Sequence, residues 1–342
     1  MGSHSSRESP VRASHANPSD GSNLKMPKPA ISTIPTVALI SALCLLPSLR
    51  AQTAPPASVD DVKIDKWNSV PLRKSAYDGL KPAPAPRRDL AGAWYAAGDP
   101  PAGGGAAPGI QATGAHEYPA VLRGNNTPPG GEPDEHNIPR QLPYTPLGEA
   151  TLKAHKPTGM SVRSVPAVLG NDPLDICDPP GFPRLELYEF RMVEFAQMPD
   201  HIIVLSQLSR TWRTIWTDGR ELPKNPEPRW NGYSVGKWVD DYTFVVETIG
   251  VDERTWLDNA GRPHSSEMKV EERFHRIDHD NMELTLTIDD PKMYTQPWQP
   301  LIKFPLRLQP RGFDIREMFC VPSDTAQYNN EIGDPSVAPD QK

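Results

Sequence analysis

Residues 268–288 read Met268-Lys269-Val270-Glu271-Glu272-Arg273-Phe274-His275-Arg276, then Ile277-Asp278-His279-Asp280, then Asn281-Met282-Glu283-Leu284-Thr285-Leu286-Thr287-Ile288. On an extended chain successive side chains point to opposite sides. Met268, Val270 and Phe274 therefore share one face of the first run, and Lys269, Glu271, Arg273 and His275 share the other. The second run repeats the pattern, with Met282, Leu284, Leu286 and Ile288 opposed to Glu283, Thr285 and Thr287. Two alternating runs joined by a short acidic turn predict a β-hairpin.

The same period extends on both sides of the hairpin. Strands are expected at 188–197, 201–208, 211–217, 234–238, 243–249, 268–277, 281–288 and 302–308. Pro199-Asp200, Asp218-Gly219 and Asp240-Asp241 punctuate them with turn chemistry. An earlier strand at 89–95, carrying Leu90, Ala93 and Trp94, feeds the main body. Thr145-Pro146 followed by Leu147, Leu152 and His155 reads as a short helix with a Thr cap and Pro in its first turn, although Gly148 weakens it. The fold class is mainly β. A meander of eight antiparallel strands must manage its edges, and closure into a lipocalin-like up-and-down barrel is preferred over a sandwich. Eight strands would leave room for one small ligand. No repeat of fixed length suggests a propeller.

Proline divides the chain. Of 41 prolines, 28 lie within residues 1–190 and 13 follow. Residues 97–132, with Gly103-Gly104-Gly105, Pro128-Pro129 and Gly130-Gly131, hold too little apolar surface to offset the entropy of ordering. Residues 52–160 thus read as a largely irregular arm with one short strand and one short helix. Residues 161–325 form the barrel domain, and 326–342 read as a disordered tail. At the other end, Lys28, the apolar run 37–46, the breaker Pro47 and the small residue Ala51 form a secretory signal at 26–51. The expected working start is Met26, with 1–25 an upstream extension, and the mature chain begins near Gln52.

The chain of 342 residues carries 36 Lys+Arg against 43 Asp+Glu, a net charge of -7. That balance disfavours nucleic acid as a partner, since backbone binding needs a basic face. The content of charged residues, 23%, excludes a polytopic helical membrane protein, and no insertion is expected once the signal is removed. Cys44 leaves with the signal. Cys177 and Cys320 remain, outside any metal spacing, and an even pair in an oxidising compartment predicts a disulfide.

Several phrases follow one another along the chain: Gly170-Asn171-Asp172-Pro173, Cys177-Asp178-Pro179-Pro180-Gly181-Phe182-Pro183-Arg184, Trp216-Thr217-Asp218-Gly219-Arg220 and Gly232-Tyr233-Ser234-Val235-Gly236-Lys237-Trp238. Val246-Glu247-Thr248-Ile249-Gly250, Trp256-Leu257-Asp258 and Pro263-His264-Ser265 follow. Together they resemble a group of uncharacterised exported proteins of soil and other environmental bacteria. The resemblance spans 165–321, about half the chain. It implies a periplasmic or secreted protein and carries no catalytic residue.

Four constellations could hold chemistry. In the loop 252–267, Asp258 and His264 suit an orienting carboxylate and a general base. Both are expected at the barrel mouth beside Trp216 or Trp256, with His264 keeping its proton to higher pH. Ser265 lies next to His264, but no GxSxG elbow exists and a triad is not expected. The face Glu271, Arg273 and His275, joined by Glu283 and Thr285, is a catalytic lining if it meets a lumen and a solvated surface if it does not. His275 and His279 span a turn rather than a helix, and no HExxH or EF-hand pattern points to a metal. Trp212, Trp216, Trp230, Tyr233, Trp238, Tyr242 and Trp256 either build the core or line a ligand site, with Arg213 and Arg220 available to a carboxylate. No Gly-rich phosphate loop precedes a helix, so no nucleotide cofactor is expected.

The leading expectation is a barrel that binds a small, partly apolar molecule without a cofactor. The alternatives are an acid–base enzyme using His264 or His275 with a carboxylate, and an envelope interaction protein. A cavity holding a His–carboxylate pair favours the enzyme, an aromatic cavity favours binding, and a filled barrel favours interaction.

Overall fold

The computed structural model describes residues 58–64, 67, 70–97, 142–156, 167–187, 191–258 and 261–337. The expected upstream extension at 1–25, the expected export signal at 26–51, the Pro/Gly-rich stretch from 98 to 132 and the last five residues lie outside the described residues.

Nine strands form one closed barrel, each beside its sequence neighbour. They are β1 (Gly92–Ala96), β2 (Val193–Gln197), β3 (His201–Ser206), β4 (Thr211–Trp216), β5 (Tyr233–Trp238), β6 (Thr243–Ile249), β7 (Lys269–Arg276), β8 (Asn281–Asp289) and β9 (Trp298–Leu308). The hairpin of residues 268–288 is β7–β8, with Val270 opposite Ile288 and Phe274 opposite Leu284. Asp278 closes its turn by accepting from the side-chain amide of Asn281. The early strand belongs to the barrel itself: Trp94 of β1 pairs with Val193 on one side and Leu308 on the other, where the ring closes. The barrel therefore begins at Gly92, earlier than residue 161.

The count of nine has a topological consequence. Around a ring, strand direction must return to itself, so the number of antiparallel junctions must be even. Nine junctions cannot all be antiparallel. Eight are, and the β4–β5 junction is parallel, which corrects the expectation of an eight-stranded antiparallel meander. A parallel neighbour needs a crossover rather than a tight turn. Residues 217–232 supply it, and β4 and β5 pair at only two positions, Ile215 with Ser234 and Trp216 with Val235.

The interior is packed. Trp94, Phe195, Phe244, Phe274, Leu284, Leu286, Leu301 and Leu306 belong to one buried cluster. Phe195 of β2 meets Phe274 of β7 edge to face, with ring centroids 5.2 Å apart, so side chains from well-separated strands touch across the lumen. Among the described residues, these side chains occupy the interior that was expected to hold a ligand. Near one end Arg276 lies 4.6 Å from the Trp94 ring centroid and donates to the carbonyls of Asp89 and His279.

Among the described residues, three α-helices lie outside the sheet: α1 (Pro146–Ala154), α2 (Arg184–Leu187) and α3 (Pro322–Tyr328). The Thr145 hydroxyl accepts from the Gly148 amide at 3.0 Å and caps α1 as its sequence predicts. Gly148, which weakened that reading, is there for space: a Cβ would lie 2.2 Å from the Met293 carbonyl oxygen. Cys177 and Cys320 form the expected disulfide. Beyond it, residues 322–336 are helical, where a disordered tail was expected over 326–342.

Candidate ligand-binding site

The short β4–β5 junction leaves a concavity of about 750 Å³ on the outer side of the barrel, under the crossover. Trp212, Thr214 and Trp216 of β4 line it, as do Tyr233 and Val235 of β5. These side chains point outward because Arg213 and Ile215 point in. The crossover contributes Arg220, Glu221, Leu222, Pro223, Arg229, Trp230 and Asn231. Asn231 fixes its end by donating to the Trp212 carbonyl and the Thr211 hydroxyl, at 3.1 and 3.2 Å. Arg213 and Ser234, otherwise interior residues, also border the concavity.

Guanidinium groups cover most of the aromatic wall. Arg220 lies 3.5 Å from the Trp216 centroid, Arg229 lies 4.1 Å from that of Tyr233, and Arg254 lies 4.4 Å from that of Trp230. Arg220 is paired with Asp218 at 2.6 Å, and Arg254 with Asp252 at 2.7 Å. Trp212 is the exception. Its ring is 63% exposed and carries no stacked ring or cation among the described residues.

Behind this wall lies a buried polar row across four consecutive strands. Arg213 on β4 donates to both carboxylate oxygens of Glu272 on β7, each at 2.6 Å. Between them, Thr248 on β6 accepts from Arg213 at 3.3 Å and shares a 2.8 Å hydrogen bond with Ser234 on β5. The Arg213 guanidinium sits 3.9 Å from the Phe182 ring centroid, and a second carboxyl, Glu186 of α2, lies 3.7 Å away. Burial, reinforced by the charge of Glu272, pushes the Glu186 carboxyl well above the usual carboxylate range. Among the described residues, one Glu186 oxygen has no hydrogen-bond partner.

The other expected site residues are dispersed. His264 is buried and does not border the concavity. Its Nε2 is 2.7 Å from the Thr255 hydroxyl and its Nδ1 is 3.2 Å from the Ser265 carbonyl. Asp258 pairs with Arg262 rather than with His264. Burial therefore lowers the His264 pKa, the reverse of the expected upward shift. Ser265 donates to Asp290 from its hydroxyl and its amide, which fastens the loop to the turn after β8. Trp256 is buried and stacks on His155 at 4.5 Å instead of lining the concavity. Glu271 and His275 stand on the exposed face of β7, with Val270, Glu272, Phe274 and Arg276 turned inward. His275 accepts from or donates to the Thr243 hydroxyl at 2.9 Å. The polar face of the hairpin thus meets solvent.

Of the proposed ligand residues, Trp212, Trp216, Arg213 and Tyr233 border one concavity. Glu272, Glu186 and Arg229 escaped the sequence reading. Glu272 carried a usable signal, since it shares strand parity with Val270 and Phe274 and so had to face the interior. Glu186 and Arg229 lie in a short helix and a loop, where no period assigns a direction. Among the described residues there is no group of three or more His, Cys, Asp or Glu placed to hold a metal ion. Comparison with family models, curated proteins and solved structures finds no match.

Proposed function

We propose that this protein binds a small, partly apolar molecule in the concavity between β4 and β5. One observation carries the reading: four aromatic side chains, Trp212, Trp216, Trp230 and Tyr233, converge with polar groups around about 750 Å³ at a fixed strand junction. Binding sites of this size commonly combine aromatic walls with a few placed polar groups. Enzymatic use of His264 or His275 draws no support, because neither histidine borders the concavity. A packed interior favours an interaction protein over a lumen binder, but a ligand seated on the barrel's outer wall needs no lumen. Export is part of the same proposal. The disulfide suits an oxidising compartment, and among the described residues no helix is long and apolar enough to cross a membrane.

The test is quenching of tryptophan emission during titration with a library of small aromatic and terpenoid compounds. A saturable change that is lost in Trp212→Ala supports the site. Trp212 is exposed, so its removal leaves the barrel core intact. Saturable binding that survives both Trp212→Ala and Trp216→Ala places the ligand elsewhere and refutes the proposal.

A further inference from the structure

We propose that the ligand of this concavity is an aromatic carboxylate, with its ring on Trp212 and its anionic group on Arg229. The inference rests on the binding reading above and adds the chemical class of the occupant.

Charge comes first. The whole chain is acidic, with 43 carboxylate residues against 36 basic ones, yet three guanidinium groups line the concavity against one carboxylate, Glu221. Two of the three already have carboxylate partners. Arg213 donates a two-pronged bond to Glu272, and Arg220 is paired with Asp218. Arg213 is therefore the rigid floor rather than the ligand's counter-ion. Arg229 remains. No carboxylate among the described residues lies within ion-pair distance of it, and its guanidinium is held on the Tyr233 ring.

Arg229 is also fixed in place. Its amide donates to the Gly250 carbonyl at 3.0 Å, and its carbonyl accepts from the Asp252 amide at 2.9 Å. A cation anchored by its backbone and by an aromatic ring loses little freedom on binding an anion. Its planar fork matches a carboxylate in a way that a lysine would not.

The ring follows from the wall. Trp216, Trp230 and Tyr233 each carry a guanidinium, whereas Trp212 carries none. An aromatic body of the ligand has Trp212 as its free stacking surface. A neutral terpenoid would bury the free charge of Arg229 without pairing it, which costs binding energy. A cationic ligand would meet three guanidiniums.

The experiment is calorimetric titration of the full chain with 2-naphthoate and with its neutral analogue 2-naphthamide. The acid is expected to bind at least about tenfold tighter than the amide. That preference should vanish in Arg229→Gln, while Trp212→Ala weakens both compounds. Equal binding of acid and amide, each weakened by Trp212→Ala, overturns the carboxylate assignment and leaves the binding site standing. A preference for the acid that persists in Arg229→Gln overturns the role of Arg229. Absence of binding by either compound overturns this inference, and the wider library titration then decides the function reading separately.

Discussion

Arg213 and Glu272 join β4 to β7 across two intervening strands, through two hydrogen bonds of 2.6 Å that the barrel shields from solvent. A buried pair of this geometry stabilises mainly by sparing each partner an unpaired charge. Glu272→Leu should destabilise the fold by roughly 3–5 kcal/mol, because Arg213 would remain buried without its main partner. Arg213→Met combined with Glu272→Leu should recover most of that loss. Urea unfolding of the two single variants and the double variant measures the coupling. A double variant as unstable as the summed singles would contradict it.

Glu186 should make the barrel less stable as pH rises. Its folded pKa is raised above 4.5 by burial and by the charge of Glu272. The folded state then holds a proton that the unfolded chain releases, so the contribution is complete below the unfolded value and is lost as pH rises through the folded one. Glu186→Gln removes this liability. Relative to the parent, the variant is expected to gain stability between pH 5 and pH 8, as read from urea midpoints. A gain that does not grow with pH would show that Glu186 is ionised in the fold.

Two histidines, one buried and one half-buried, work in the opposite sense. His264 and His155 both have their pKa lowered below 6.5, first of all by burial. On acidification the unfolded chain takes up protons near its ordinary value while the fold resists. Their contribution is complete above about 6.5 and is lost as pH falls toward the folded pKa. Each can add a slope of up to about 1.4 kcal/mol per pH unit in that window. His264→Gln should flatten the acid limb of a stability–pH curve measured from pH 7.5 to pH 5. An unchanged slope would mean that His264 titrates freely.

Period-two alternation located the strands well, since each buries one face and a slip by one residue would expose it. The ends of β7 and β8 follow from residues such as Val270, Phe274 and Leu284. What alternation could not convey was which neighbour each strand takes and in which sense. The parallel β4–β5 junction follows from ring closure with β1, and nothing local to Thr211–Trp216 encodes it. The candidate site shares that limit. Trp212 and Trp216 were visible as one face of a strand, but Arg213 finds its partner 59 residues away, and Arg229 reaches Tyr233 from a loop. Asp258 and His264 are close in sequence, yet Arg262, four residues from Asp258, captures the carboxylate first.

Gly148 sets helix propensity against packing, and packing should win. Glycine to alanine in the interior of a helix ordinarily gains about 1 kcal/mol. At this position the added Cβ would fall 2.2 Å from the Met293 carbonyl oxygen, which also accepts from the Thr145 amide at 2.9 Å. The helix must move away, and the bond that seats its N-terminus is strained or lost. Overpacking of this kind costs typically 1–3 kcal/mol, so the net expectation for Gly148→Ala is a loss of about 1 kcal/mol. Thermal unfolding measures the sign, and hydrogen exchange of the α1 amides locates the effect. A variant more stable than the parent would mean that α1 is not seated against Met293 in solution.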